Sequence, residues 1–405
     1  MATKHYKYYP EEDNIPQVLA YGFRPFLLIL PWYIVVNILL WSLVFGGVIS
    51  FSIIKNPLNW HIYELLFGVG FGGILAFMIT ALPEMYPGVV PIVNKKLLTI
   101  VIVWALGRIG FWCIDFLGIE IVALLNLSLS FWLIGWIFKP VILDKLQRSS
   151  SIGYVIIVLT LLQTLFFASS LEWISFQPLA ILILAISVFM ILILLVLRRI
   201  NMEIINEMLV HENYDDVFKA RPYRYNLAIF CVAFFAVIEF FYPTNSLLAW
   251  LGIASGASIL GILNDYNLEF ESIVFKPFTI YLGTIFVFMA LGYGLLGITS
   301  LLALPYQSDF RHFLTTGAFS LTFFMVMVII AYVHTGREIV SKTWIATGFV
   351  LLLLATFIRA GAFLAQEYYT TMIISSSILY VLPFILYFFK TKAFLLSSRF
   401  DGIKG

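Results

Sequence analysis

Long apolar runs follow one another almost from end to end of this chain, and they limit it to very few folds. A helix that crosses a bilayer needs roughly 20 mostly apolar residues. Runs of that kind fall at about 25–50, 61–82, 97–116, 118–138, 152–171, 176–197, 225–242, 246–264, 277–302, 312–333, 343–364 and 371–389. Strands of a membrane barrel would alternate apolar and polar residues, and IVIVWALGRIGF and LILLVL do not. Composition agrees: of 405 residues, 62% are hydrophobic and 11% charged, against about half and a quarter in a soluble domain. The expected fold is all-α, a polytopic membrane helix bundle of about 12 transmembrane helices. It forms a single domain at 21–390, with a longer loop at 198–224, between tails at 1–20 and 391–405. The first twenty residues carry Glu11, Glu12 and Asp13 and lack the short apolar core of a cleaved signal peptide.

Charge sets the expected orientation. Of the 24 Lys and Arg, 20 fall in the tails and alternate loops on one side. The other side holds Lys55 and Arg311, while Arg108 and Arg359 lie within spans. Basic loops stay in the cytoplasm, so both termini are expected there and the first partner is membrane lipid. The net charge of +2 offers no basic surface to nucleic acid. Two cysteines exclude a disulfide scaffold, and there is no Cys-x-x-Cys, no covalent haem-attachment string and no phosphate-binding glycine loop. Residues 198–224 read as a short amphipathic interfacial helix (Ile200, Ile204, Ile205, Met208, Leu209) followed by a charged stretch.

An ionisable group inside a bilayer costs several kcal/mol and calls for a partner or a purpose. Of five histidines, His5 and His211 read as surface residues. His61 opens the second span and His312 the tenth, and both spans run inward, so both imidazoles start at the same outer depth. His334 follows His312 by 22 residues, roughly 33 Å along a helix, and belongs to the cytoplasmic face as a separate metal candidate. Two neutral imidazoles at one depth suit the two axial positions of a haem iron. At helical spacing, Leu65, Gly68 and Gly72 follow His61, and Thr315, Thr316, Phe319 and Ser320 follow His312. These stripes are compatible with a macrocycle, and equally with close packing of helices in lipid.

Haem propionates seek cations, and Arg108, Arg359 and Arg311 reach the same leaflet. The alternative is that each arginine pairs with an intramembrane carboxylate, with Glu64, Glu120 and Glu239 available. Glu64, one turn after His61, is placed to orient a ligand or hold a proton. On the cytoplasmic side Arg24, Arg221, Arg224 and Arg337 read most simply as headgroup anchors. Glycines in spans eight and nine (Gly252, Gly256, Gly261, Gly292, Gly294, Gly297) keep open a transporter for a metal or small anion, built on interrupted helices. An accessory or assembly protein of a respiratory complex is a third reading.

In combination, GFRPF at 22–26, WHxxExLFG at 60–68, GR at 107–108, RPxRxNL at 221–227, the helix opening with His312, and HTGR at 334–337 resemble the NnrS family of bacterial inner-membrane proteins. The resemblance implies a protein containing haem and copper and linked to nitric oxide and nitrosative stress. His61 matches the first histidine of the family's WHxHE string, His312 its mid-chain histidine and His334 that of HTGR. Tyr63 stands where the family typically has a second histidine, so one presumed copper ligand is missing. The expectation is therefore b-type haem between His61 and His312, with copper depending on the Tyr63-altered site. Nitric oxide or a similar diatomic gas is the expected small partner, and a respiratory electron donor a possible further one. If the chain is an enzyme, its chemistry is a haem-dependent redox step on nitric oxide or its adducts. Twelve helices with histidines on spans two and ten also echo the catalytic subunit of haem–copper oxidases, an analogy of fold alone.

Overall fold

The computed structural model describes residues 6, 9–10, 14–50, 56–86, 88–146, 149–214, 216–267 and 274–405. Lys4, His5, Lys7, Glu11, Glu12, Asp13, Lys55 and Arg148 lie outside the described residues. The described chain is helical. In order come α1 (Phe23–Phe45), α2 (Pro57–Met85), α3 (Asn94–Trp112), α4 (Ile119–Ile142), α5 (Ser150–Ser170), α6 (Pro178–His211), α7 (Pro222–Phe241), α8 (Leu247–Tyr266), α9 (Pro277–Leu301), α10 (Gln307–Val333), α11 (Thr343–Ala360) and α12 (Gln366–Leu396).

Among the described residues, eleven of these helices are long and apolar enough to cross a membrane, and the chain is a multi-pass membrane protein. The twelfth, α3, occupies the place of the third apolar run. It is 19 residues long but carries Lys95, Lys96 and Arg108, too many cations for a plain apolar crossing. Lys95 and Lys96 are exposed in its first turn, while Arg108 is buried.

Helix boundaries follow local chemistry. Asn56 caps α2 by accepting from the Asn59 amide at 3.2 Å, and Pro57 takes the first helical position, where a missing N–H costs nothing. Pro222 and Pro277 start α7 and α9 in the same way. Past α10, the Arg337 amide returns to the Tyr332 carbonyl at 2.9 Å, with Gly336 at φ +72°, a backbone state that favours glycine.

Two expected boundaries move. No glycine or proline interrupts residues 197–211, so α6 runs on to His211 in place of a separate interfacial helix. The expected apolar face is real: Ile204, Ile205 and Leu209 are buried. The charged stretch then folds back, since Asn206 accepts from the Phe218 amide (2.8 Å) and donates to the Phe218 carbonyl (3.1 Å). Likewise α12 continues to Leu396, through the start of the expected tail.

The chain divides into two compact units, one of Met1–Leu182, Val326–Val340 and Val381–Gly405, the other of Ile183–Met325 and Ser341–Tyr380. Within the second unit, α8 and α9 touch backbone to backbone. A Cβ on Gly252 would lie 2.7 Å from the Gly297 Cα, and one on Gly256 would lie 2.8 Å from the Ala290 carbonyl oxygen. These glycines join two continuous helices, as small residues do in lipid. They do not interrupt them, which removes the feature that favoured a transporter.

Candidate functional site: two histidine helices with π-helical segments

The spans that carry His61 and His312 both leave α geometry beside that histidine. In α2, residues Glu64–Gly70 form a seven-residue π-helical segment that begins just after His61. In α10, a seven-residue segment at Phe313–Phe319 begins directly after His312. π turns are rare and concentrate at functional sites. A third, Phe138–Ile142 in α4, contains Pro140, whose missing N–H explains it. The two histidine segments contain no proline. Each is instead held by a side chain that binds one of its carbonyls: the Trp104 indole donates to Gly68 at 3.0 Å, and the Ser320 hydroxyl to Thr315 at 3.0 Å.

The first unit holds His61, half-buried and stacked on Trp41 with ring centroids 4.3 Å apart at 13°. Glu64, fully buried, anchors a polar network. Arg108 donates to it at 2.8 Å, Tyr33 donates to its other oxygen, and Trp112 donates to the Tyr33 hydroxyl at 2.9 Å. Arg108 also donates to the Asn126 amide oxygen, and Asn126 returns to the Val122 carbonyl at 2.8 Å. Burying a guanidinium beside a carboxylate with further hydrogen bonds is how a helix bundle tolerates both charges. Arg108 thus takes the carboxylate pairing, with Glu64. Glu120 is exposed.

Gly68 and Gly72 make room for protein. A Cβ on Gly68 would come within 2.7 Å of a Glu64 oxygen and 2.9 Å of Arg108 Nη1, and one on Gly72 within 2.8 Å of Leu30 and 3.0 Å of the Trp104 nitrogen. Close packing, the alternative weighed for these glycines, accounts for both. The expected stripe also assumed 3.6 residues per turn, and the wider π turn displaces it.

Tyr63 is fully buried in an aromatic box. It stacks on Phe111 at 4.3 Å and touches Phe166 at 4.8 Å and Phe167 at 5.5 Å. Its hydroxyl accepts from Gln163 at 2.9 Å, and Gln163 accepts from Ser130 at 2.5 Å. A side chain so enclosed does not fit a copper ligand. Among the described residues, no group of three or more His, Cys, Asp or Glu gathers as a metal cluster. Cys113 and Cys231 are half-buried free thiols.

In the second unit, His312 Nδ1 lies 2.7 Å from the Ser308 carbonyl oxygen. A carbonyl only accepts, so Nδ1 carries a proton, which in the neutral ring leaves the lone pair on Nε2, the tautomer that a backbone carbonyl imposes on metal-binding imidazoles. Arg311 pairs with Glu239 at 2.7 Å. Arg359 pairs with Asp309 at 2.9 Å, and Asp309 also accepts from Tyr369 at 3.0 Å. Thr316 is half-buried in the π segment. His61 belongs to the first unit and His312 to the second.

His334 gathers a separate cluster in the first unit. Its Nδ1 lies 3.1 Å from the Glu84 carboxylate, and the Tyr21 hydroxyl donates to Glu84. Burial, with Glu84 beside it, pushes the Tyr21 phenol well above its ordinary range, so it stays a donor. Arg399 donates to the His334 carbonyl at 2.9 Å. Arg24 is no headgroup anchor: it is fully buried and donates to the carbonyls of Leu395, Ser397 and Gly405, each at 2.8 Å. Arg337 lies over the Phe394 ring at 4.2 Å. In the second unit Arg224 pairs with buried Asp265 at 2.6 Å, which also corrects a headgroup role.

A family model described as NnrS protein matches residues 17–399. The chain belongs to the NnrS family. No curated protein and no solved structure matches it. The NnrS match takes in every motif above, from GFRPF to HTGR, and so both histidine helices and both π segments.

Tyr33, Trp104, Asn126 and Asp309 were not singled out in the sequence. Asp309 has a local signal, an acid two residues before Arg311. Tyr33 has none, because nothing in an apolar run says which aromatic will meet a carboxylate on another helix.

Proposed function

We propose that this NnrS-type membrane protein binds b-type haem through His312 and His61, and acts in the handling of nitric oxide or nitrosative stress. The observation that carries the reading is the His312 Nδ1 bond to the Ser308 carbonyl, which leaves Nε2 as the basic nitrogen beside a π segment. His61, beside the other π segment and stacked on Trp41, is the second ligand of the proposal. The nitric-oxide role rests on family membership. The basic residues argue for both termini in the cytoplasm, with a bacterial inner membrane as the location.

The haem would supply redox change and diatomic-gas binding at its iron. The chain's own residues would do the rest. Ser308 fixes the His312 tautomer, Trp41 fixes the His61 ring plane, and Ser320 and Trp104 hold the π turns. Arg311 and Arg359 are each committed to one carboxylate, so propionate binding would share guanidiniums already neutralised by Glu239 and Asp309. Copper at Tyr63 forms no part of the proposal.

The test is purification in detergent and a pyridine haemochrome spectrum, repeated on His61→Ala and His312→Ala. The wild type is expected to carry b-type haem and each variant to lose it or turn high-spin. A pigment-free wild type, or full low-spin haem in both variants, refutes the assignment.

A further inference from the structure

Four oxidisable rings line up inside the first unit. Trp60 and Trp112 meet edge to face with centroids 5.4 Å apart. Trp112 donates to the Tyr33 hydroxyl at 2.9 Å, and the Tyr33 ring lies 5.3 Å from that of Trp104. In the middle of this string, Tyr33 donates its own proton to Glu64. Glu64 is fully buried and is held from its other side by Arg108.

A phenol gives up an electron readily only if its proton can leave at the same time. In a dry interior, that requires a base already hydrogen-bonded to the hydroxyl. Two fully buried tyrosines lack such a base: Tyr387 donates to the Met327 carbonyl at 3.3 Å, and Tyr293 to the Ser187 hydroxyl at 3.1 Å. Tyr86 reaches a carboxylate, that of Asp144, only at 3.4 Å. Tyr21 has a carboxylate acceptor in Glu84, but its ring neighbours are Tyr6, Phe23 and His334, with no tryptophan among these contacts.

We propose that Tyr33 is a reversible one-electron donor, with Glu64 as its proton acceptor and the tryptophan string as its electron path. The oxidant is a strong one-electron acceptor of the oxygen- or nitrogen-radical class. One electron passes from Tyr33 through Trp112 and Trp60 to that oxidant, which is reduced by it. The Tyr33 O–H bond breaks, the proton bonds to the Glu64 oxygen it already faces, and a neutral tyrosyl radical remains. Protonation costs Glu64 its attraction to Arg108, so the proton is driven back when an electron returns. The chain thereby takes up a damaging oxidising equivalent at a half-buried, recoverable position. This goes beyond the haem reading and holds with or without haem.

The experiment uses the full chain in detergent micelles, oxidised by photogenerated tris(bipyridyl)ruthenium(III), frozen at intervals and read by electron paramagnetic resonance. The wild type is expected to give a tyrosyl signal that outlasts the signals of exposed tyrosines. Tyr33→Phe, which leaves the Glu64–Arg108 pair in place, is expected to abolish the persistent signal, while Tyr387→Phe keeps it. Trp112→Phe is expected to slow its formation, a second readout in a variant that keeps Tyr33. A persistent signal unchanged by Tyr33→Phe, one lost only in Tyr21→Phe, or a formation rate indifferent to Trp112→Phe would overturn the proposal. So would a wild type with no persistent signal.

Discussion

Glu64→Leu is expected to destabilise the protein more than any other single change in the first unit's polar network. Glu64 is fully buried and Arg108 nearly so. Removing the carboxylate leaves a guanidinium in the protein interior with Asn126 as its remaining side-chain acceptor, and a guanidinium does not shed its proton. Breaking a buried pair from one side costs about 3–5 kcal/mol. Tyr33 loses its acceptor as well, adding about 1–3 kcal/mol. Arg108→Met should cost less, because the stranded carboxyl can take up a proton and become neutral. The double variant Glu64→Leu/Arg108→Met should recover most of the loss, since apolar replacement of a whole buried pair is often neutral. The assay is reversible unfolding in mixed micelles across the four proteins, with about 1.4 kcal/mol for each tenfold change in the folding constant. A double variant as unstable as the two singles added together would refute the reasoning. It would mean that the two charges do not act as one unit.

Three further outcomes follow from other contacts. Tyr63→Phe removes the acceptor of the Gln163 amide in a closed aromatic box, and should cost about 1–3 kcal/mol in the same unfolding assay. Gly297→Val puts a side chain where a Cβ would already lie 2.6 Å from the Ala249 carbonyl oxygen; the α8–α9 contact should open at a cost of about 1–3 kcal/mol, read as a lowered midpoint in a thermal aggregation scan. Asp401 is held below the ordinary aspartate value of 3.8 by its hydrogen bonds to Arg399. A depressed pKa contributes stability that is present above 3.8 and lost as pH falls through the folded value, so the protection of the Phe400 amide, which donates to the Thr335 carbonyl, measured against the intrinsic exchange rate at each pH, should hold at neutral pH and fall only in acid. Asp401→Asn should show the lowered protection already at neutral pH.

Much of the architecture was legible because lipid imposes a blunt rule, about twenty apolar residues for each crossing. The third span shows where that rule strains. Lys95 and Lys96 can stay in water at a helix start, but Arg108 needed Glu64 and Asn126, which lie on other helices. The pairing of intramembrane arginines with carboxylates could be anticipated, and for Arg108 and Arg311 the partners lay among those considered. For Arg359 the partner Asp309 sits on α10, and nothing near residue 359 points there. The headgroup role expected of Arg24 and Arg224 failed for a related reason. Positive residues near helix ends are usually headgroup anchors, whereas Arg24 is spent on four backbone carbonyls of a segment some 370 residues away in sequence. A single sequence does not show which loops will fold back.

The π segments explain the one pattern that sequence periodicity misplaced. Counting in steps of three and four from His61 assumes an unbroken α-helix, and the geometry changes at Glu64, before the count reaches Gly68. The change turns Glu64 into the Tyr33–Arg108 network and gives the Gly68 carbonyl to Trp104. In α10 the change comes directly after His312, and Ser320 takes the Thr315 carbonyl. Neither segment has a proline to force it. A π turn is less favourable than the α turn it replaces and persists where other contacts hold it. The same departure, held by unrelated side chains in two different units, follows each of the histidines named in the haem proposal. The contacts with Trp104 and Ser320 account for how each segment is held, and the spectra of the His61 and His312 variants decide whether the histidines beside them ligate iron.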